Sequence, residues 1–314
     1  MTDNDFKLVF MGTPEFAVEF LQRLENGGIL PDLIITQPDK PQGRKMELCS
    51  PPAKVWGEEK NVPVWQPVKA RDEGFLDQLR EFKPDLLLTA SYGQILPQTL
   101  LDIPRFGCLN VHPSLLPLYR GAAPVQASII AGDTITGVTV MIMEAGLDSG
   151  PILSQREYPI AENITAGELL LDLAGVGAEI VLEILPRYLD GEIEARKQED
   201  QLATYTGRLD RETGKVDWTK SAREIHNLIR GTQPWPGAFT YHEGKRLKIL
   251  SSAVADDSDK SFAPPGTLVN CSKIISVACG SGLIDLEIIQ PAGSRVMPCC
   301  DCAHNYSTGT VLGE

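Results

Sequence analysis

No apolar run in this chain approaches the roughly 20 residues that a bilayer-spanning helix needs, so no transmembrane helix is expected. The first residues, Met-Thr-Asp-Asn-Asp-Phe-Lys, are polar and acidic and lack the apolar stretch of a signal peptide. A cytoplasmic location is the expectation. Seven cysteines are an odd number for 314 residues, which argues against a disulfide framework. Paired Cys-x-x-Cys knuckles are missing too. Cys299, Cys300 and Cys302, with His304 nearby, are spaced too tightly for the usual zinc knuckle and read as free thiols, so no metal is expected. The chain also lacks internal repeats and low-complexity tracts.

The phosphate-binding glycines are absent as well. The first strand runs into Phe10-Met-Gly-Thr-Pro-Glu15, which is neither Gly-x-Gly-x-x-Gly nor Gly-x-x-x-x-Gly-Lys-Ser/Thr. Nicotinamide cofactors and nucleoside triphosphates lose most of their support there. A net charge of −13 argues against wholesale nucleic-acid binding. The distribution qualifies this: residues 1–206 hold 17 basic and 30 acidic side chains, whereas 207–314 hold 12 of each. A neutral segment can still present a basic face, and Lys245, Arg246 and Lys248 lie close together. Composition alone reads that cluster as a solvated strand face.

What is present is an ordinary globular composition, 42% hydrophobic and 23% charged, long enough for two cores. Short apolar strands are expected at Lys7–Met11, Asp32–Thr36, Val62–Trp65, Asp85–Thr89, Gly107–His112 and Gly137–Met143. Helical stripes alternate with them. Thr13 and Ser50 are expected to cap two of the helices, and Thr165-Ala-Gly-Glu168 forms a capping box before a long one. This alternation predicts an α/β domain with a mostly parallel sheet over residues 1–191. Residues 192–206 are polar and aperiodic, as in a linker. Over 207–314 a single helix and many short strands with Gly and Pro turns predict a smaller β-barrel.

The chemistry is concentrated at two places. In Leu109–Pro117, Asn110 and His112 sit two apart, so on a strand both project from one face. Asp148 follows a second apolar run, in the turn Gly146-Leu-Asp-Ser-Gly150. In an open α/β sheet, ligands sit beyond the carboxyl ends of the strands, where His112 and Asp148 both fall. An amide, an imidazole and a carboxylate together can polarise a carbonyl, stabilise an oxyanion and move protons. No covalent nucleophile accompanies them, which points to direct group transfer. Taken singly, each residue also reads as an ordinary strand-end or turn residue.

The order and spacing of these pieces resemble the formyltetrahydrofolate-dependent formyltransferase family. The core of the likeness is Asn110-Val-His112-Pro-Ser-Leu-Leu-Pro117, Arg120-Gly-Ala-Ala-Pro124 and Gly146-Leu-Asp148-Ser-Gly150. Met11–Phe16, Thr36–Pro41, Ala90–Gly93, Ile95–Pro97, Asp217-Trp218, Ile229-Arg230, Pro234-Trp235-Pro236 and Gln290–Gly293 are similar to the branch acting on charged initiator tRNA. The resemblance implies a Rossmann-like catalytic domain and an OB-like C-terminal barrel that helps hold tRNA. It implies transfer of the formyl group of 10-formyltetrahydrofolate to the α-amino group of initiator methionyl-tRNA. Carried over by position, Asn110, His112 and Asp148 match the catalytic trio, and Ser114, Leu115, Leu116 and Pro117 the folate-contacting loop. Arg44 and Lys45 match a basic loop that reaches toward the tRNA acceptor stem. No membrane and no obligate protein partner is implied, and neither is a metal.

The physical reading runs parallel to the resemblance. As a free amine attacks the donor carbonyl, Asn110 and protonated His112 can donate hydrogen bonds to the oxygen that becomes negative. Asp148 can favour charged His112, or accept the proton that the attacking ammonium loses; both roles fit. Two departures stand out: Pro113 follows His112 where glycine also occurs in similar proteins, and 298–302 is unusually rich in cysteine. The trio alone does not separate tRNA formylation from formylation of a sugar nucleotide or a purine precursor, or from formyl-folate hydrolysis. The Pro-Trp-Pro-bearing second domain and the basic loop favour tRNA. A non-catalytic folate- or tRNA-binding module has no need of all three side chains.

Overall fold

The computed structural model describes residues 6–43 and 46–313. Packing divides the chain into two units. One comprises Met1–Gly121, Ile135–Pro159 and Leu170–Thr206; the other comprises Ala122–Thr134, Ile160–Leu169 and Gly207–Glu314. The strands up to residue 206 are β1 (Leu8–Gly12), β2 (Leu33–Ile35), β3 (Lys40–Gln42), β4 (Glu47–Cys49), β5 (Val64–Trp65), β6 (Leu86–Ala90), β7 (Cys108–His112), β8 (Arg120–Gly121), β9 (Ile135–Ile142), β10 (Ile152–Pro159) and β11 (Tyr205–Thr206). The helices over the same stretch are α1 (Glu15–Asn26), α2 (Pro52–Glu59), α3 (Glu73–Phe82), α4 (Gln98–Leu101), α5 (Pro124–Ala131) and α6 (Ala166–Leu189).

The first unit is built on a seven-stranded sheet in the order β10-β9-β7-β6-β1-β2-β5. Strands β1, β2, β5, β6 and β7 are parallel; β9 runs antiparallel to β7, and the edge strand β10 antiparallel to β9. β1 and β6 are buried along their whole length, as continuous apolar runs in a sheet covered on both faces must be. On one face Val9, Met11, Leu33, Ile35 and Leu87 pack with Phe75, Leu76 and Leu79 of α3. Phe10 stacks on Phe20 of α1, with ring centroids 5.8 Å apart. Apolar β-rich runs therefore appear as strands within one or two residues of where their pattern places them.

Three local expectations are corrected. Thr13 does not cap α1: Pro14 takes that position, and the Thr13 hydroxyl donates to the Tyr92 carbonyl at 3.0 Å. Ser50 does not cap α2, whose preceding residue is Pro51; its hydroxyl donates instead to Asp39 Oδ2 at 3.3 Å. β10 is an additional strand. It is an edge strand with a polar, part-exposed sequence, so it carries no apolar period to reveal it. Its Arg156 reaches Glu179 and Glu183 of α6, each at 2.8 Å.

The second unit contains α5, α7 (Ala222–Gly231) and the strands β12 (Ala238–His242), β13 (Lys245–Asp256), β14 (Leu268–Cys271), β15 (Ile275–Ala278), β16 (Leu283–Pro291) and β17 (Met297–Pro298). The sheet is antiparallel, in the order β12-β13-β16-β15-β14, with β17 on β16. Irregularities at Ile249/Ser251, Ser251/Ser252 and Val254/Asp256 interrupt the β13–β16 ladder. Bulges of this kind bend a sheet, consistent with a small barrel. Its core gathers Trp218, Ile225, Ile229, Leu247, Ile249, Val277, Leu286 and Ile289, with Cys299 and Cys302 among them. Trp218 satisfies its indole N–H on Thr240 Oγ1 at 2.9 Å. Among the described residues, no helix is long and apolar enough to cross a membrane.

Candidate active site

β7, between β6 and β9 in the central sheet, carries Asn110 and His112 on one face, paired with Met141 and Thr139 of β9. Asn110 is part-exposed and His112 is buried. Among the described residues the Asn110 side-chain amide makes no hydrogen bond, so its N–H donors remain available. His112 is held from behind: its Nε2 lies 3.1 Å from the Tyr119 carbonyl. A carbonyl only accepts, so Nε2 carries a hydrogen and Nδ1 is the nitrogen left for chemistry. Nδ1 faces Asp148 Oδ2 at 3.7 Å. His112, the last residue of β7, thus meets Asp148 at the carboxyl end of that strand, with Asn110 two residues back on the same face.

Asp148 is fixed by backbone on two sides. Its Oδ2 accepts the Gly121 N–H at 2.8 Å, and its own φ is +48°, in the left-handed region that Asp tolerates better than most residues. Gly121 has φ +120°, and a Cβ there would meet the Thr206 carbonyl oxygen at 2.1 Å. Only glycine lets β8 lie against β11 and still aim this N–H at the carboxylate. At Gly150 an added Cβ would fall 1.8 Å from the Ile142 carbonyl oxygen, so the 146–150 turn folds back tightly on β9.

The loop 114–118 is organised by one buried hydroxyl. Thr139 Oγ1 donates to the Ser114 carbonyl at 2.7 Å, accepts the Leu116 N–H at 3.0 Å, and accepts Gln155 Nε2 at 2.9 Å. Gln155 also donates to the Leu116 carbonyl at 2.8 Å. The Ser114 hydroxyl donates to the Leu118 carbonyl at 2.7 Å, and the Leu116 side chain packs with Met141 and Ile152. Ser114 and Leu116 therefore commit their side chains inward. Leu115 and Pro117, half-buried, and Leu118, exposed, form the accessible surface.

Thr139, Gln155 and Gln198 are the supporting residues that sequence reasoning missed. Thr139 left a faint signal, a hydroxyl inside the buried run Gly137–Ile142. Gln198 left none, lying in the aperiodic 192–206 stretch. Arg44 and Lys45 lie outside the described residues. A separate cleft of about 610 Å³, lined by Arg80, Lys83, Asp102 and Arg105, opens at the amino ends of β6 and β7 and contains none of the trio. Among the described residues no group of three or more His, Cys, Asp or Glu side chains is arranged to hold a metal ion.

Comparison with known proteins matches both parts of the chain. Residues 6–185 match the formyl transferase family, and residues 208–307 match the formyl transferase C-terminal domain. The methionyl-tRNA formyltransferase of Acetivibrio thermocellus is 44% identical over 311 residues, covering 98% of this chain and all of that one. That of Geobacillus sp. is 45% identical over 293 residues, covering 93% and 92%. Among solved structures, an N-formyltransferase from Helicobacter canadensis, in complex with folinic acid and dTDP-3-aminofucose, superposes with a TM-score of 0.68. It is 20% identical, covers 91% of this chain and 99% of that one, and shows the shared fold. With relatives this similar along nearly their whole length, and with both domains matched, the chain belongs to the methionyl-tRNA formyltransferase family.

Proposed function

We propose that this protein moves the formyl group of 10-formyltetrahydrofolate to the α-amino group of methionine charged on initiator tRNA, and that Asn110, His112 and Asp148 do the chemistry. The observation that carries the reading is the approach of the His112 imidazole and the Asp148 carboxylate at the end of β7, with the Asn110 amide two residues back on the same face. The folate supplies an amide-like carbonyl carbon that a free amine can attack. Asn110 donates a side-chain N–H toward the carbonyl oxygen as charge grows on it, and His112, when protonated, donates from Nδ1. Asp148 sits beside Nδ1, where it stabilises the imidazolium or takes the proton that the ammonium sheds. The amine is itself the nucleophile, so no covalent enzyme intermediate is needed.

The surroundings suit a flat, partly apolar donor. Ile95, in the loop after β6, is 91% exposed; Leu118, after β7, and Leu147, beside Asp148, are exposed as well. Such side chains at strand ends offer apolar contact to a ring system, alongside Leu115 and Pro117, while Ser114 and Leu116 hold their loop from within. Residues 1–191 form the catalytic part in this reading, 192–206 connect, and 207–314 hold tRNA. Exposed Lys245 and Lys248 on β13, together with Arg44 and Lys45 before β4, supply the phosphate contacts. A cytoplasmic place follows from that substrate, and cell fractionation tests it.

The decisive experiment mixes the protein with 10-formyltetrahydrofolate and either charged initiator or charged elongator methionyl-tRNA. Formylmethionine on the initiator alone is expected. Equal formylation of both, or formate release without transfer, overturns the assignment. In the same assay, Arg44→Ala and Lys248→Glu each raise KM for tRNA while leaving that for the formyl donor. An unchanged tRNA KM rejects the corresponding contact.

A further inference from the structure

The stretch 192–206 carries side chains that converge on the catalytic turn. Gln198 is 5% exposed and Arg120 2% exposed, both deep in the first unit. Two guanidinium nitrogens of Arg120, Nε and Nη2, donate to Gln198 Oε1 at 3.0 and 2.7 Å. Nη2 also meets Asp200 Oδ1 at 2.8 Å. Because Arg only donates, the Gln198 amide has one orientation: oxygen toward Arg120, nitrogen away. That nitrogen donates to the Asp148 carbonyl at 2.8 Å and to the Gly150 carbonyl at 2.7 Å. Both amide hydrogens are therefore spent on the turn that carries the carboxylate. Arg120 immediately precedes Gly121, whose N–H holds Asp148 Oδ2. One buried pair thus fixes the backbone of Asp148 from one side and its side chain from the other.

We infer that Gln198, locked in orientation by Arg120, is a positioning residue for Asp148: it sets the distance between the carboxylate and His112 Nδ1. The inference rests on the proposed role of Asp148 and deepens it. Without the two amide donors, the carbonyls of Asp148 and Gly150 lose their partners, and nothing obliges the left-handed Asp148 backbone to persist. Gly121 then competes with water for a carboxylate that has moved. Neither Gln198 nor Arg120 contacts the transferred group in this account, so the loss falls on turnover and spares substrate binding.

The test uses the full-length enzyme with Gln198→Glu and Gln198→Met. The first keeps an oxygen for Arg120 and places a second oxygen against two carbonyls; the second conserves bulk and removes every hydrogen bond. Steady-state turnover with 10-formyltetrahydrofolate and charged initiator tRNA is measured, together with Tm and hydrogen exchange over residues 144–151. The expected result is a fall in kcat of about 10- to 100-fold, the scale of an ångström-sized misplacement. Both KM values stay within a few-fold, and exchange rises in 144–151 while that of β7 is unchanged. An unchanged kcat per folded molecule overturns the inference, whether or not Tm falls, since Gln198 is then structural only. A raised KM at constant kcat overturns it as well. Asp148→Ala is run beside these variants: near-normal turnover there defeats the assignment of Asp148 itself, whereas a dead Asp148→Ala with a normal Gln198→Met defeats the positioning role alone.

Discussion

His112 shows how much of a site one orienting contact decides. With Nε2 given to the Tyr119 carbonyl, only Nδ1 faces Asp148. Replacing His112 by Ala removes the ring nitrogen that the proposed chemistry uses as a donor. Losing one preorganised donor costs about 2.7–4 kcal/mol, so kcat should fall at least about 100- to 1000-fold. Equilibrium binding of tRNA, measured in parallel, should be unchanged; near-normal turnover rejects the mechanism. Thr139 acts at the same scale but on the loop. Thr139→Val keeps the shape and leaves the Ser114 carbonyl and the Leu116 N–H without their buried partner, at about 1–3 kcal/mol for each unsatisfied group. Tm should drop and KM for the formyl donor should rise several-fold. A lower Tm with an unchanged KM means that the hydroxyl serves the fold and not the donor loop.

Among the elements, α7 and α1 are instructive together. Ser221 and Glu224 form a reciprocal capping box: Ser221 Oγ accepts the Glu224 N–H at 3.2 Å, and Glu224 Oε2 accepts the Ser221 N–H at 2.9 Å. The Ser221 N–H and hydroxyl together hold the Glu224 carboxyl below its usual range. Ser221→Ala should cost about 1 kcal/mol of stability in urea denaturation, with turnover per folded molecule unaffected. No measurable loss means that the helix end is satisfied by other groups. Thr165 and Glu168 repeat the box at α6, and both boxes lie in sequences whose spacing announces them. Thr13 and Ser50 have equally suitable chemistry and cap nothing. A proline directly follows each of them, and each hydroxyl finds a distant partner, the Tyr92 carbonyl or Asp39. Local preference decides a helix end only where no tertiary hydrogen bond competes for the side chain.

At the scale of the whole molecule, the buried acids of high pKa set an alkaline limit. Burial pushes the Cys108, Cys279 and Cys299 thiols from 9.0 up to about 12, and the Tyr92 and Tyr306 phenols from 10.0 up to about 12. A raised folded pKa stabilises the protein fully below the unfolded value, and this contribution is lost as pH climbs through the folded one. Urea stability should therefore decline above about pH 9 and continue falling toward about pH 12. A flat profile across that window shows that these groups are not buried in solution. Mass spectrometry after alkylation gives an independent reading: exposed Cys300 should react in the native protein, and Cys108, Cys279 and Cys299 only after denaturation. What the sequence by itself determined was the parallel-sheet domain and the barrel-like one after it, and it singled out Asn110, His112 and Asp148 as candidates. Apolar periodicity and short motifs are local, and a period of two already puts Asn110 and His112 on one face. Tertiary structure alone decided how those residues are held. Gln198 lies 50 residues from the Asp148 carbonyl it binds and 78 from Arg120. The carbonyl of Tyr119, the N–H of Gly121 and the carbonyls of Asp148 and Gly150 belong to the main chain, which is the same at every residue. A hydrogen bond to such a group leaves no mark on the side chain of its partner, so only the folded chain reveals it.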